Sequence, residues 1–293
     1  MENNLSVMEM DANSGFITGF GKVSETPKSA LSELRMVHNN IMGSKTVDGE
    51  EMEVAIIKAG SFSARMPDGE MYYSATATAR LFLMKFCYER FDANAIRADG
   101  NKGNVIRTVF HSVLSGDLKD NDGTYNCGRG AYMSNEAFKA LPESKQQFYR
   151  SCKPKSVIFG MCSFDKPMDS NGNAVTLDEF PFKMHVGGNE SRENLATMAS
   201  KLPKDAPMIY NIKLKAVPKK GTAINYAVFQ PTVKDKIKDI QDTDDQETMI
   251  DFDAWIKDKN QYTMKVWAEK NALKMSEEDA DIVGSIVDIE DLE

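Results

Sequence analysis

The chain has 293 residues, of which 41% are hydrophobic, and 36 Lys and Arg stand against 44 Asp and Glu for a net charge of −8. That length buries one large core or two small ones. No apolar run approaches the ~18 residues that span a bilayer, which excludes a transmembrane helix. The opening MENNLSVMEMDANSGF has neither the basic nor the apolar region of a secretory signal, so a cytoplasmic protein is expected. Cys87, Cys127, Cys152 and Cys162 are scattered without a CxxC pair, as suits reduced, partly buried thiols. A zinc site built from three of them with His111 or His185 lacks the short paired spacing that zinc ligands usually show.

Along the chain, residues 1–50 read as a weakly patterned arm with one helix, PKSALSELRMVHNNIM, in which Pro27 suits the first turn and Leu31, Leu34 and His38 share a face. MEVAIIKAG and SFSARM read as strands, the PDG turn leads into MYYSATATA, and RLFLMKFCYERF is a long strand apolar on both faces. ANAIRADGNKGN and SGDLKDNDGTYNCGRGAYM are long polar loops around VIRTVFHSVL, and ESKQQFYR is a short helix. From Lys155 the pattern is regular. KSVIFGMCSF and the alternating EFPFKMHV are strands around a DSNGN turn. SRENLATMASKL is a helix with Ser191 as N-cap and Leu195, Met198 and Leu202 as its apolar stripe. MIYNIKLKAV and AINYAVFQ form a hairpin through PKKGT. Beyond Pro231, VKDKIKDIQ and the segments around Trp255 and Trp267 read as helical.

The fold expected from this order is α+β and mainly β: an OB-like barrel with long insertions, followed by C-terminal helices and a disordered acidic tail. The boundaries are 1–50 for the arm and helix, 51–230 for the OB-like nucleic-acid-binding core, 231–275 for the helical segment and 276–293 for the tail.

Charge is spread unevenly over these parts. Up to Gln230 there are 28 bases and 26 acids; after it there are 8 bases and 18 acids. Residues Glu277 to Glu293 hold eight acids and no base, equal to the whole net charge. A neutral to basic body with an acidic end hints at nucleic-acid binding or an interaction tail.

Strand alternation then sorts the bases onto faces. In EFPFKMHV, Lys183 and His185 oppose Phe180, Phe182, Met184 and Val186; in MIYNIKLKAV, Lys213 and Lys215 oppose Tyr210, Ile212 and Leu214. Lys219 and Lys220 sit at the hairpin tip. OB-folds bind oligonucleotides on such a face and loop, although Lys at these positions also serves simply to protect strand edges. A second basic set, Arg65, Arg80, Lys85, Arg90, Arg97, Lys102 and Arg107, is interleaved with aromatics, of which Tyr72, Tyr73 and Tyr88 are the candidate base-stackers.

No catalytic signature stands out, and a non-enzymatic protein without cofactor or metal is expected. Asp117, Asp120 and Asp122 lie close together, but neither their loop nor DSNGN fits a calcium-loop frame. A Mg²⁺-dependent nuclease built on these carboxylates is one alternative.

The ending DIVGSIVDIEDLE sets Ile282, Val283, Ile286, Val287, Ile289 and Leu292 among its acids. Such a segment competes with DNA for a basic groove and offers partners an apolar grip; a merely solvated tail is the plainer alternative. With this tail, the segments DLKDNDGTYNCGRGAYM, CKPKSVIFGMCSF and DEFPFKMHVGG give a chain whose organisation from Val54 to Gln230 resembles bacteriophage single-stranded DNA-binding proteins. The resemblance implies an OB-fold with insertions, a basic and aromatic cleft, and an acidic tail that contacts replication and recombination proteins in the host cytoplasm. It also implies that Arg129 and Tyr132 belong to a DNA-facing loop. The clustered Cys and His with which some members hold zinc are not matched here. A phage structural or assembly protein is the other alternative.

Overall fold

The computed structural model describes residues 31–47, 50–96, 102–114, 118–128, 133–204, 207–222, 224–237 and 243–287. Its strands are β1 (Ser32–Met36), β2 (Ile41–Val47), β3 (Glu50–Ile57), β4 (Phe62–Arg65), β5 (Met71–Ser74), β6 (Ala77–Ile96), β7 (Lys102–Arg107), β8 (Lys153–Phe164), β9 (Phe180–Val186), β10 (Tyr210–Leu214), β11 (Ala216–Lys220), β12 (Asn225–Phe229) and β13 (Thr232–Lys236). Its α-helices are α1 (Asn135–Lys139), α2 (Glu143–Ser151), α3 (Asn189–Ala199) and α4 (Thr243–Val287). Strand outweighs helix, and the fold is α+β, mainly β.

The main sheet runs β13-β10-β6-β8-β9-β1-β4-β5, with β7 added to the far end of β6. All its pairs are antiparallel except β1 with β9. Val233 from one end of this path and Tyr72 from the other pack on the same core, so the sheet curls into a half-barrel around its inner face. Among the described residues no pairing joins β13 to β5. Two ribbons, β2–β3 and β11–β12, project from it as separate hairpins.

Alternation sets the two faces. In β9 every second residue is buried, and Phe180, Phe182, Met184 and Val186 join the inner core with Leu34, Phe62, Ile158, Ile212 and Leu214. Helix α3 closes that core with Leu195 and Met198. The 20-residue β6 is apolar on both faces because it serves two cores. A register shift between Leu81 and Leu83 reverses its parity. Ala77, Ala79 and Leu81 face the inner core, whereas Phe82, Leu83 and Cys87 face the outer one.

Helix α4 covers the outer face. Its 45 residues span about 67 Å. Asp245, Met249, Phe252, Ile256, Asn260, Trp267 and Asn271 recur at steps of three, four and seven residues and all touch the body. Phe252, Trp255 and Ile256 bury against Phe82, Val157 and Phe159. Asn260 satisfies the backbone of the buried Phe110, donating to its carbonyl and accepting its N–H.

Several expectations are corrected. The helix expected over 27–42 is β1 and the start of β2 in its described part, because Leu34 also fits an alternating pattern and finds partners on β4 and β9. VKDK after Pro231 is β13, a charged edge strand on β10 rather than a helix. The MIYNIKLKAV strand divides: β10 stays in the main sheet, and only β11 pairs back with β12. Ser191 is not an N-cap. Gly188 holds that position, and the buried Ser191 hydroxyl accepts the Phe229 N–H. One helix replaces the several expected at the C-terminal end, and it continues to Val287, so the first part of the expected disordered tail is helical.

Candidate nucleic-acid interface

The outer face of β6, β8 and β9 beside α4 carries a buried ion network centred on Glu89. Arg107 Nε donates to its carboxylate at 2.7 Å, and Lys155 Nζ stands at 3.8 Å. His185 Nδ1 is 2.8 Å away but poorly aimed, so neither ring nitrogen makes a well-directed hydrogen bond. Burial alone would raise the Glu89 carboxyl, but His185, Arg107 and Lys155 outweigh it and hold it far below the usual carboxylate range. Burial, followed by repulsion from Arg107 and Lys183, lowers the His185 pKa, with the Glu89 carboxylate opposing.

Next to this network, Lys183 Nζ lies over the Trp255 ring at 4.5 Å, and Lys259 Nζ approaches the same ring at 5.6 Å. The Lys183 ammonium is pushed down to about 8, first by burial and then by Arg107, Lys259 and Arg35, with Glu33 opposing. Lys259 is lowered too, first by burial and then by Arg107, with Asp258 opposing. Glu33 is held by Arg35 at 2.7 Å. Five cations from β1, β7, β8, β9 and α4 thus stand among three carboxylates, Glu33, Glu89 and Asp258.

The residues expected to bind DNA divide into three groups. Lys183 and Arg107 belong to this cluster. Lys85 is on the same face and reaches the Ser112 hydroxyl at 3.4 Å, and Arg65 is exposed on β4. Lys213, which points away from the inner core that Ile212 and Leu214 join, stands 4.0 Å from Asp165. Lys215 and Lys220 are exposed along the β11–β12 ribbon, and Lys219 is paired with Glu190 at 2.7 Å.

The second group serves the interior. Arg80 is clamped by Asp245 of α4 at 2.6 Å and by Glu179 at 3.6 Å. Arg90 is 7% exposed; it donates to the Cys127 carbonyl, pairs with Asp92 and Asp122 and stacks on Phe148. Tyr73 is buried with Val37 and Ile57, Tyr72 packs on the inner core, and Tyr88 packs on Ile106, Cys127 and Cys152. Tyr73 is thus buried, and Tyr72 and Tyr88 are half-buried. The third group lies outside the described residues: Arg129 and Tyr132, and in the tail Ile289 and Leu292. Ile282, Val283, Ile286 and Val287 lie on the backbone of α4.

The acidic loop is a structural turn. Asp120 is fully buried and accepts the Asp122 and Thr124 N–H groups and the Thr124 hydroxyl. Asp122 is bound to Arg90 and to Lys270 of α4. These two carboxylates are thereby engaged in the turn and its ion pairs, and Asp117 lies outside the described residues. The cysteines are also separated, with Cys162 in the inner core and Cys127 and Cys152 under Tyr88. Cys87 does meet Glu89 and His185, but the Cys87 thiol is pushed far up by burial, and Arg107 and Lys155 hold the carboxylate. A cation would enter that group against strong positive charge.

Arg35, Glu89, Lys155 and Lys259 were not singled out by sequence. Parity would have found Lys155, two positions before outward-facing Val157, and helical spacing would have found Lys259, one turn after Trp255. The exposed Tyr226, opposite Lys219 on the ribbon, was missed as well. Among the described residues no helix is long and apolar enough to cross a membrane. Compared with known proteins, the chain matches no family model, no curated protein and no solved structure.

Proposed function

We propose that this protein is a non-enzymatic, sequence-independent single-stranded DNA-binding protein acting in phage DNA replication, recombination or repair, with an OB-like half-barrel as its binding body. The observation that supports this most is the convergence of Arg35, Arg107, Lys155, Lys183 and Lys259 on one face of a chain whose net charge is −8. Glu33, Glu89 and Asp258 do not neutralise five cations, and a polyanion is the natural complement. Lys215, Lys219 and Lys220 with the exposed ring of Tyr226 add a ribbon suited to phosphates and stacked bases. The acidic C-terminal segment competes for the cationic face and recruits replication or recombination proteins through Ile282, Val283, Ile286, Val287, Ile289 and Leu292.

The test is a mobility shift with oligo-dT over a range of salt. Single strands should bind in preference to duplex, with log K falling against log salt by about 0.7 per phosphate contact. Tight binding to duplex alone, or affinity indifferent to salt, would sink the proposal. A second reading, a phage structural or assembly protein, draws on the exposed Ile250, Tyr262 and Leu273 of α4. It predicts stable protein complexes and no oligonucleotide shift.

A further inference from the structure

Two ammonium groups converge on one indole without an acid between them. Lys183 and Lys259 both approach Trp255, and among the described residues neither has a carboxylate oxygen within 4.0 Å. Of the carboxylates that act on this cluster, Glu89 is engaged with Arg107 and Glu33 with Arg35, and Asp258, the neighbour of Lys259 in sequence, forms no ion pair with it. A ring contact attracts a cation but does not cancel its charge. Trp255 is 9% exposed, so its ring is packed against the body and positions the lysines instead of stacking a base. Lys183 and Lys259 therefore hold positive charge without an ion-pair partner in a partly desolvated setting, and Arg107 and Arg35, each paired with an acid, bring the donor side chains to four from four different elements. Oxyanions satisfy such donors through short charge-assisted hydrogen bonds.

We propose that Lys183 and Lys259, flanked by Arg107 and Arg35, form a seat for one phosphate group at the edge of Trp255. In the single-strand complex this seat takes a backbone phosphodiester; that identity rests on the function proposed above, while the location rests on the geometry. The same chemistry would accept a free phosphate or pyrophosphate, and the two sources separate experimentally.

The experiment uses the full chain and two variants, Lys183→Met and Lys259→Gln. Oligo-dT affinity is measured by fluorescence anisotropy across salt, and thermal stability is measured with sodium pyrophosphate against sodium chloride at matched ionic strength. Each variant should bind oligo-dT about tenfold more weakly at low salt, with the log K–log salt slope flatter by about 0.7, the share of one phosphate contact. Pyrophosphate should raise the melting temperature of the unaltered chain saturably, and that rise should shrink in both variants. Unchanged affinity and slope in both variants, with oligo-dT binding intact, overturn the seat and leave the single-strand function standing. A pyrophosphate effect that the variants abolish, in a chain indifferent to oligo-dT, keeps the seat for free phosphates and overturns the single-strand function instead. Lys259 is on a half-exposed helical position where Gln is a good helix former, so that variant decides the matter even if Lys183→Met does not fold.

Discussion

The two faces of the sheet are built from the same strands and differ in what they leave unfinished. On the inner face Phe182, Ile158, Leu34 and Ile212 are fully buried, and α3 with Phe229 closes the layer. On the outer face, one residue along each strand, Lys183, His185, Lys155 and Arg80 interrupt the apolar set that α4 covers. The inner face has no surplus of charge or surface. The outer face has both, and it is held by one long helix whose grip combines packing with ion pairs. The fold is therefore secured on one side, and the other side is left with charges that a ligand or α4 must complete.

The largest expected effect tests the closed face. Phe182→Ala removes a fully buried ring from the inner core and should cost about 3–5 kcal/mol, because the rigid sheet cannot collapse around the cavity. Chemical denaturation measures it. A loss under ~1 kcal/mol would show that the inner face is loosely packed and would remove the contrast.

Somewhat smaller is the effect of releasing α4. Asp245→Ala strips Arg80 of its 2.6 Å partner at a site where the Arg80 side chain is 14% exposed. Glu179, at 3.6 Å and more exposed, only partly compensates. A loss of about 3 kcal/mol is expected for such a broken buried pair. Hydrogen exchange should show it first in the opening turns of α4, with protection in β8 and β9 retained. Equal loss of protection in the strands would show that helix and sheet unfold as one unit.

Lys183 sharpens the contrast further, since removing it should help folding and harm binding. Its folded pKa of about 8 lies below the ~10.4 of an unfolded chain. Between those values the unfolded state holds more protons, so stability should rise as pH climbs from 8 toward 10. Burial acts first, then Arg107, Lys259 and Arg35, opposed by Glu33; His185, its own pKa lowered, adjoins Lys183. Lys259 shifts in the same direction, so the difference between the unaltered chain and Lys183→Met isolates the one lysine. Lys183→Met should melt higher at pH 7, lose that part of the pH rise, and bind oligo-dT about tenfold more weakly, or about 1.4 kcal/mol. A lower melting temperature at pH 7 would mean that the Trp255 contact outweighs burial and repulsion.

Which parts of this were legible beforehand follows from the range of the forces involved. The faces of β9 and the two-sided β6 could be read, because alternation is a local signal that burial enforces. β1 could not, since Leu31, Leu34 and His38 suit a helical face and Ser32, Leu34 and Met36 suit a strand face, and only β4 and β9 decide between them. Arg90 looked like a surface cation because its partners, the Cys127 carbonyl and Asp122, lie more than thirty positions away in sequence. The same distance hid the seat, in which Lys183 and Lys259 meet only after α4 folds back over the sheet. Lys183 itself was chosen by parity alone; its neighbours were not available to parity.

The smallest expected effect concerns the acidic end. Deleting Asp281 to Glu293 removes five acids and moves the net charge from −8 to −3. The last described docking contact of α4 is Asn271, which donates to the Gly123 carbonyl, so the cut begins ten residues beyond the described grip. No base occupies the last turn of α4, and no described docking contact lies beyond Asn271, so the deletion should leave stability within about 0.5 kcal/mol. Binding should change instead. If the acidic end competes for the outer face, the shortened chain should hold oligo-dT several-fold more tightly at low salt. That gain should vanish near 1 M salt, where the Debye length is ~3 Å. Replacing Ile282, Val283, Ile286, Val287, Ile289 and Leu292 with Ser should keep most of the competition, because the carboxylates remain, yet lose protein partners. Equal affinities at low salt would show that the acidic end does not reach the cationic face, and a large fall in melting temperature would show that it packs against the body.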